Sequence, residues 1–236
     1  MNINKQTIIN IMQLRNNKMV MYPGTGLVLV FDVETTGLLP KKNKDPKIDE
    51  ISVSEYPYIT QFSYVIYDRY TNTILKKVNN YIQIPHDIEI PEIVTRITGI
   101  TKEICETKGV SIIDALIEFY RDFQVCDNIV AHNYAFDHKV IEIEIKRNYP
   151  FIYHFCPNAL ILFTPEYLDS TKKQIFCTMK MSIYLCKLPF KTGGGYKFPK
   201  LSELHYHLFG YIPENLHDAE VDVSTCLRCY NALIST

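Results

Sequence analysis

The 236-residue chain lacks any apolar run approaching the roughly 18 or more residues that a membrane-spanning helix needs. Its N-terminal apolar stretch, Ile8 to Leu14, is broken by Asn10 and Gln13 and lacks a small-residue cleavage site, which argues against a secretory signal. Residues 1–22 read instead as an appended amphipathic helix. An excess of one charge is also missing. The formal net charge is −1 and the pI about 6.6, which argues against a broad basic face that coats duplex DNA but leaves room for a local groove. The seven cysteines, odd in number and scattered, do not make the framework of a small secreted protein. A soluble, intracellular protein is expected. Neither an internal repeat nor a low-complexity tract is present.

What the chain does have is material for a buried core, since 47% of its residues are hydrophobic, and its length fits one domain, residues 23–236, plus the N-terminal extension. Leu27-Val28-Leu29-Val30-Phe31 is continuously apolar, the pattern of a central strand buried on both faces. Tyr58 to Tyr67 and Thr73 to Ile84, separated by a turn-rich linker, read as antiparallel strands. A helical region from about Pro91 to Gln124 follows, with Ser111 as a cap, then a short strand from Asn128 to Ala131. From Asn133 the pattern is helical, and Asp137 falls in the first turn. A strand from Gln174 to Thr178 leads into a helix ending near Lys187, and helices over about Leu201 to Phe209 and Asp218 to Ile234 complete the chain. Hairpin strands followed by alternating strands and helices predict an α/β fold, a mixed five-stranded sheet flanked by helices in the ribonuclease H-like arrangement.

The chemistry begins at the end of the first strand. Residues two apart on a strand share a face, so Asp32 and Glu34 project together. Two carboxylates buried beside an apolar run are costly unless something neutralises them, and a divalent metal does so. An Asp-x-Glu alone is a weak signal. Here Asp32-Val33-Glu34-Thr35-Thr36-Gly37-Leu38 is joined by Ala131-His132-Asn133-Tyr134-Ala135-Phe136-Asp137 and by His217-Asp218-Ala219-Glu220-Val221-Asp222. The three segments, in that order, resemble the three exonuclease motifs of the DnaQ-like (DEDDh) 3′→5′ exonuclease family. Ile97-Thr98-Gly99-Ile100-Thr101 and Lys200-Leu201-Ser202-Glu203-Leu204 resemble two lesser segments, although Thr98 stands where the family often carries histidine.

The resemblance implies two metal ions, and hard oxygen ligands favour Mg²⁺, or Mn²⁺, over zinc. It implies that Asp32, Glu34, Asp137 and Asp222 hold them and that His217 is the general base; a histidine's ordinary pKa near 6.5 suits that role. It also implies that Thr35 and Leu38 line the terminal nucleotide, with Asn133 and Phe136 as further candidates. Phe136 reads equally well as helix core. The implied substrate is nucleic acid with a 3′ end, single-stranded DNA favoured. An exoribonuclease and an inactive binding module remain open, as do a polymerase partner and self-association.

Several signals are weaker. Lys41, Lys42, Lys44 and Lys47 crowd a polar loop that either neutralises phosphates or is simply solvated. Gly193-Gly194-Gly195 reads as a flexible linker, either over the active site or merely loose. Cys226 and Cys229, with His205 and His207, suggest zinc but fall within an apolar helical pattern where buried cysteine is expected. Asn148 to Thr171 is long for a connection and is a candidate contact for a partner or the far end of the substrate.

Overall fold

A computed structural model describes residues 24–40 and 52–235. The expected N-terminal helix over residues 1–22 and the lysines at 41, 42, 44 and 47 lie outside the described residues.

The sheet is built on β1 (Leu27–Thr35), which pairs antiparallel with β2 (Ile59–Asp68); β2 in turn pairs antiparallel with β3 (Thr73–Tyr81). Three helices follow: α1 (Glu92–Thr98), α2 (Lys102–Lys108) and α3 (Ile112–Val125). The sequence pattern had merged them into one helical region. Gly99, at φ +74°, ends α1, and Gly109 ends α2 where a Cβ would sit 2.1 Å from the Cys105 carbonyl oxygen. Ser111 caps α3 by accepting from the Ile113 N–H. Then come β4 (Asn128–Ala131), α4 (Tyr134–Arg147), α5 (Tyr149–Phe155) and α6 (Pro165–Ser170). The chain finishes with β5 (Gln174–Cys177), α7 (Thr178–Met181), α8 (Ile183–Cys186), α9 (Leu201–Phe209) and α10 (Ala219–Ile234).

The strand order is β3-β2-β1-β4-β5, with β4 and β5 running parallel to β1, so the sheet is mixed and five-stranded with helices around it. The period-two alternation of β1 divides the core. Leu27, Leu29, Phe31 and Val33 pack with Phe62, Phe119 and Phe123 in one cluster. Val28 and Val30 face the other way, against Val65, Val223 and Tyr230. Ile152, Cys156, Ala159 and Leu162, from the long connection between α4 and β5, join the first cluster. The inner side of that connection is therefore core, a role its length did not reveal. Cys226 and Cys229 are likewise core, and the His205 ring is held by the Tyr211 carbonyl at 2.9 Å, so these residues do not assemble a zinc site.

Candidate active site

Parallel pairing between β1 and β4 stops at Val30 and Val130, so Asp32 and Glu34 stand at the carboxyl end of the sheet beyond that pairing. Both occupy the face that carries Val28 and Val30. Beyond Ala131 the chain turns through Asn133, whose φ of 68° and ψ of 43° place it in the left-handed region that asparagine tolerates better than most residues. This turn starts α4 and sets Asp137 in its first turn. Asp137 Oδ1 accepts the Val33 N–H at 3.2 Å, which fastens the helix to the strand between the first two carboxylates.

Asp222 arrives from the first turn of α10. The cap of that helix is Asp218, whose Oδ1 accepts from the Glu220 and Val221 N–H groups at 2.9 and 3.3 Å. Gln61, fully buried on β2 opposite Glu34, accepts the Ala219 N–H at 3.1 Å and donates to Asp218 Oδ2 at 3.3 Å. The sheet thereby fixes where α10 begins. Gln61 was not singled out from the sequence; a glutamine within a strand dominated by β-branched and aromatic residues was the available signal. Asp222 Oδ2 accepts the His217 N–H at 3.4 Å, while its Oδ1 is buried without a partner. His217 is exposed at φ +76°, a conformation that costs a non-glycine residue energy and is held by the turn around it. One ligand atom from each of Glu34, His217 and Asp222 lies within 4.8 Å of the others.

Burial, the largest cause throughout, raises the pKa of all four carboxyls. Asp32 is pushed well above the usual carboxylate range by burial and then by the charges of Asp137, Asp222 and Glu34. Glu34 is pushed up to about 8 by burial and then Asp222. Asp137 also rises to about 8 through burial, against the opposing hydrogen bond from Val33. Asp222 rises to about 6, burial again dominating over the His217 N–H. Such a group of acids resists full ionisation until a cation joins it. The chemistry of the donor set fits a hard divalent ion: oxygen ligands, one imidazole and an unsatisfied carboxylate oxygen.

The remaining candidates separate by exposure. Leu38 is 86% exposed at the rim, free to meet a ligand. Thr35 is buried, and its hydroxyl donates to the Gly37 carbonyl at 2.6 Å, shaping the turn that presents Leu38. Asn133 is half-buried in its turn, and Phe136 packs against the first core cluster. The Thr98 hydroxyl is occupied within its own helix end, donating to Val94 and accepting from Ile100. His132 is a further residue that sequence reasoning passed over. Burial pushes its pKa down to about 4, leaving it neutral, and both ring nitrogens are engaged: Nδ1 with Thr178 Oγ1 at 2.9 Å and Nε2 with the Pro199 carbonyl at 3.1 Å. A carbonyl can only accept, so Nε2 carries the proton.

The exonuclease family model RNase_T matches residues 29–230, a span that contains all five of these acidic and imidazole groups. The chain belongs to this exonuclease family. Among solved structures, the exonuclease is similar in fold to Escherichia coli exonuclease I. The complex of that enzyme with a dT13 oligonucleotide aligns with a TM-score of 0.64 at 18% identity, over 89% of this chain and 41% of that one. A structure of exonuclease I described as suggesting how processivity is achieved gives 0.65 at 18% identity, with the same coverage. A zinc-bound complex of the E. coli enzyme with single-stranded DNA gives 0.63 at 20% identity, over 89% and 40%. The chain thus spans about two fifths of the length of these structures. No curated protein matches it by sequence. Among the described residues, no helix is long and apolar enough to cross a membrane.

Proposed function

We propose that residues 23–236 form a metal-dependent 3′→5′ exonuclease domain that hydrolyses the terminal phosphodiester bond of single-stranded DNA and releases nucleoside 5′-monophosphates. The observation that carries this reading is the crowding of four buried or half-buried carboxyls whose charged neighbours are themselves acids, beside an exposed histidine. Asp32, Glu34, Asp137 and Asp222 are the groups that would hold two Mg²⁺ or Mn²⁺ ions. Bound there, such ions supply activation of the attacking water and stabilisation of charge on the leaving 3′ oxygen.

The chain's own residues supply the rest. His217 stands at the exposed edge of the cluster, where its imidazole can take the proton that water loses as it attacks phosphorus. The buried bond from Val33 N–H holds Asp137 against β1, and Gln61 sets the start of α10, so the cluster is positioned by rigid elements. Leu38, exposed at the rim, is placed to wedge against the terminal base, with the Thr35 hydroxyl fixing the turn beneath it. Asn133, which borders the second carboxylate helix, and the half-buried Phe136 are the remaining candidates for substrate contact. DNA is favoured because the similar exonuclease I structures hold DNA oligonucleotides.

The test is product analysis on matched end-labelled DNA and RNA strands with Mg²⁺. Stepwise loss of nucleoside 5′-monophosphates from the 3′ end of DNA, faster than from RNA, is expected. Equal or faster RNA shortening overturns the sugar preference, and release from the 5′ end overturns the polarity.

A further inference from the structure

From Ser170 to Ser202 the chain carries seven lysines and no aspartate, glutamate or arginine, in a protein whose net charge is −1. Two of them, Lys172 and Lys173, precede β5 at the end of the sheet away from the carboxylates, where Lys173 donates to the carbonyls of Gln124 and Cys126. The other five follow β5. Because β5 is parallel to β4, with Cys177 beside Ala131, everything after Cys177 starts from the end of the sheet that carries the acidic cluster.

The segment Thr178–Lys200 is fastened there. His132, in the second carboxylate segment, binds its beginning at Thr178 and its end at Pro199. Between these anchors the chain folds back on itself: Lys197 N–H donates to Leu188 and Phe190 N–H to Gly195, closed by glycines at φ +86° and +96°. The fold-back leaves aromatic rings outside. Tyr184 is 77% exposed and meets Tyr196 edge-to-face at 6.3 Å, and Phe190 and Phe198 are exposed on the same segment. Lys180, Lys187, Lys191 and Lys200 are exposed too, while Lys197 is paired with Glu203.

Exposed rings interleaved with cations, without acids, make the composition on which single-stranded nucleic acids bind: bases stack on the rings and phosphates meet the charges. Lysine is depleted at protein–protein interfaces, which weighs against a protein occupant. We propose that the Thr178–Lys200 segment is a platform for the stretch of single strand leading to the 3′ end, with Tyr184 as a stacking ring and Lys180, Lys187 and Lys191 as phosphate contacts. This assignment rests on the exonuclease reading of the adjacent carboxylates.

Fluorescence anisotropy with a 5′-labelled oligothymidylate of about 15 nucleotides, near the upper site size of such platforms, tests it in EDTA, where cleavage is stopped. A Lys180→Ser/Lys187→Ser/Lys191→Ser variant should bind on the order of 10-fold more weakly, with a log–log salt slope smaller by about 2. Tyr184→Ala should weaken binding by roughly 5- to 150-fold for the single strand and leave a blunt duplex unaffected. Both variants should hydrolyse the p-nitrophenyl ester of thymidine 5′-monophosphate, which has no upstream strand, as the wild type does with Mg²⁺. Wild-type affinity and salt slope in both variants overturn the platform, and so does a parallel loss of ester hydrolysis, which would place the damage in the catalytic cluster. Weakened strand binding alongside a wild type that cleaves neither ester nor strand leaves the platform standing and overturns the exonuclease reading instead.

Discussion

Two sets of carboxylates in this molecule, buried or half-buried, differ in where their cation comes from. Asp122 and Glu144 are buried and paired from within the chain. Asp122 meets the Lys76 ammonium and accepts the Tyr64 hydroxyl at 2.6 Å; Glu144 meets Arg147 at 2.6 Å and accepts the Ile59 N–H at 3.2 Å. Burial raises both pKa values, and the attached cation opposes it. Around Asp32, Glu34, Asp137 and Asp222 the strongest opposing influences are only backbone N–H groups, and the neighbouring charges are acids. The first set locks helices to the sheet. The second remains short of positive charge, which is the condition for taking up a cation from solution.

Substitution should therefore move the two sets in opposite directions, and this is the largest expected effect. Asp32→Ala and Asp222→Ala should abolish nearly all nuclease activity while the metal-free fold melts at or above the wild-type temperature, because each removes a charge from a like-charged group. Glu144→Ala should keep the catalytic cluster intact but cost about 3 kcal/mol of stability, since it leaves the largely buried Arg147 guanidinium with carbonyl partners but no counter-charge. Thermal melting read beside activity separates the sets; a lower melting temperature for both cluster variants would make those acids structural.

His217→Ala should lower turnover by about 10² to 10⁴, the usual contribution of a positioned acid or base, and leave melting nearly unchanged because the side chain is exposed. Single-turnover rates at saturating strand and Mg²⁺ measure it. Near-wild-type chemistry in this variant would remove the histidine from the mechanism without touching the carboxylates.

How far the comparison was legible in the sequence depends on its range. Asp32 and Glu34 share a face by strand spacing, Asp137 and Asp222 fall in first helical turns, and His217 precedes its helix; all are local relations, and the mixed five-stranded sheet flanked by helices followed from the strand–helix pattern. Tethers across the fold were not legible. Nothing near Gln61 indicates that it reaches the start of α10 more than 150 residues later, or that His132 bridges Thr178 and Pro199. The connection from Asn148 to Thr171 looked like an appendage because its short helices hide the spacing by which Ile152, Cys156, Ala159 and Leu162 enter the core. The lysines after β5 were visible, but they are spread three to seven residues apart, and only the fold-back gathers them with the exposed rings.

A smaller effect comes from pH. Unfolded carboxyls titrate near 4, whereas Asp222 sits at about 6 and Glu34 and Asp137 at about 8 in the fold. Between those values the folded state binds more protons than the unfolded one, so metal-free stability should fall as pH rises from about 4 to about 8. Melting curves across that range check the sign, and Asp222→Asn should flatten the part between about 4 and 6. A metal-free stability that climbs steadily to pH 8 would show that the cluster is already neutralised. Smallest of all, Leu38→Ala should raise KM for a strand severalfold and leave stability within about 0.5 kcal/mol, as its side chain is largely exposed.

The most direct measurement is the melting temperature of the wild type and of Asp32→Asn at pH 8, each without metal and with Mn²⁺ at about ten times its dissociation constant. The cation-deficient cluster predicts that the wild type gains about 1.4 kcal/mol, a rise of several degrees, and that Asp32→Asn starts at or above the wild type and gains little. An equal gain in both proteins, or none in the wild type, would contradict the account.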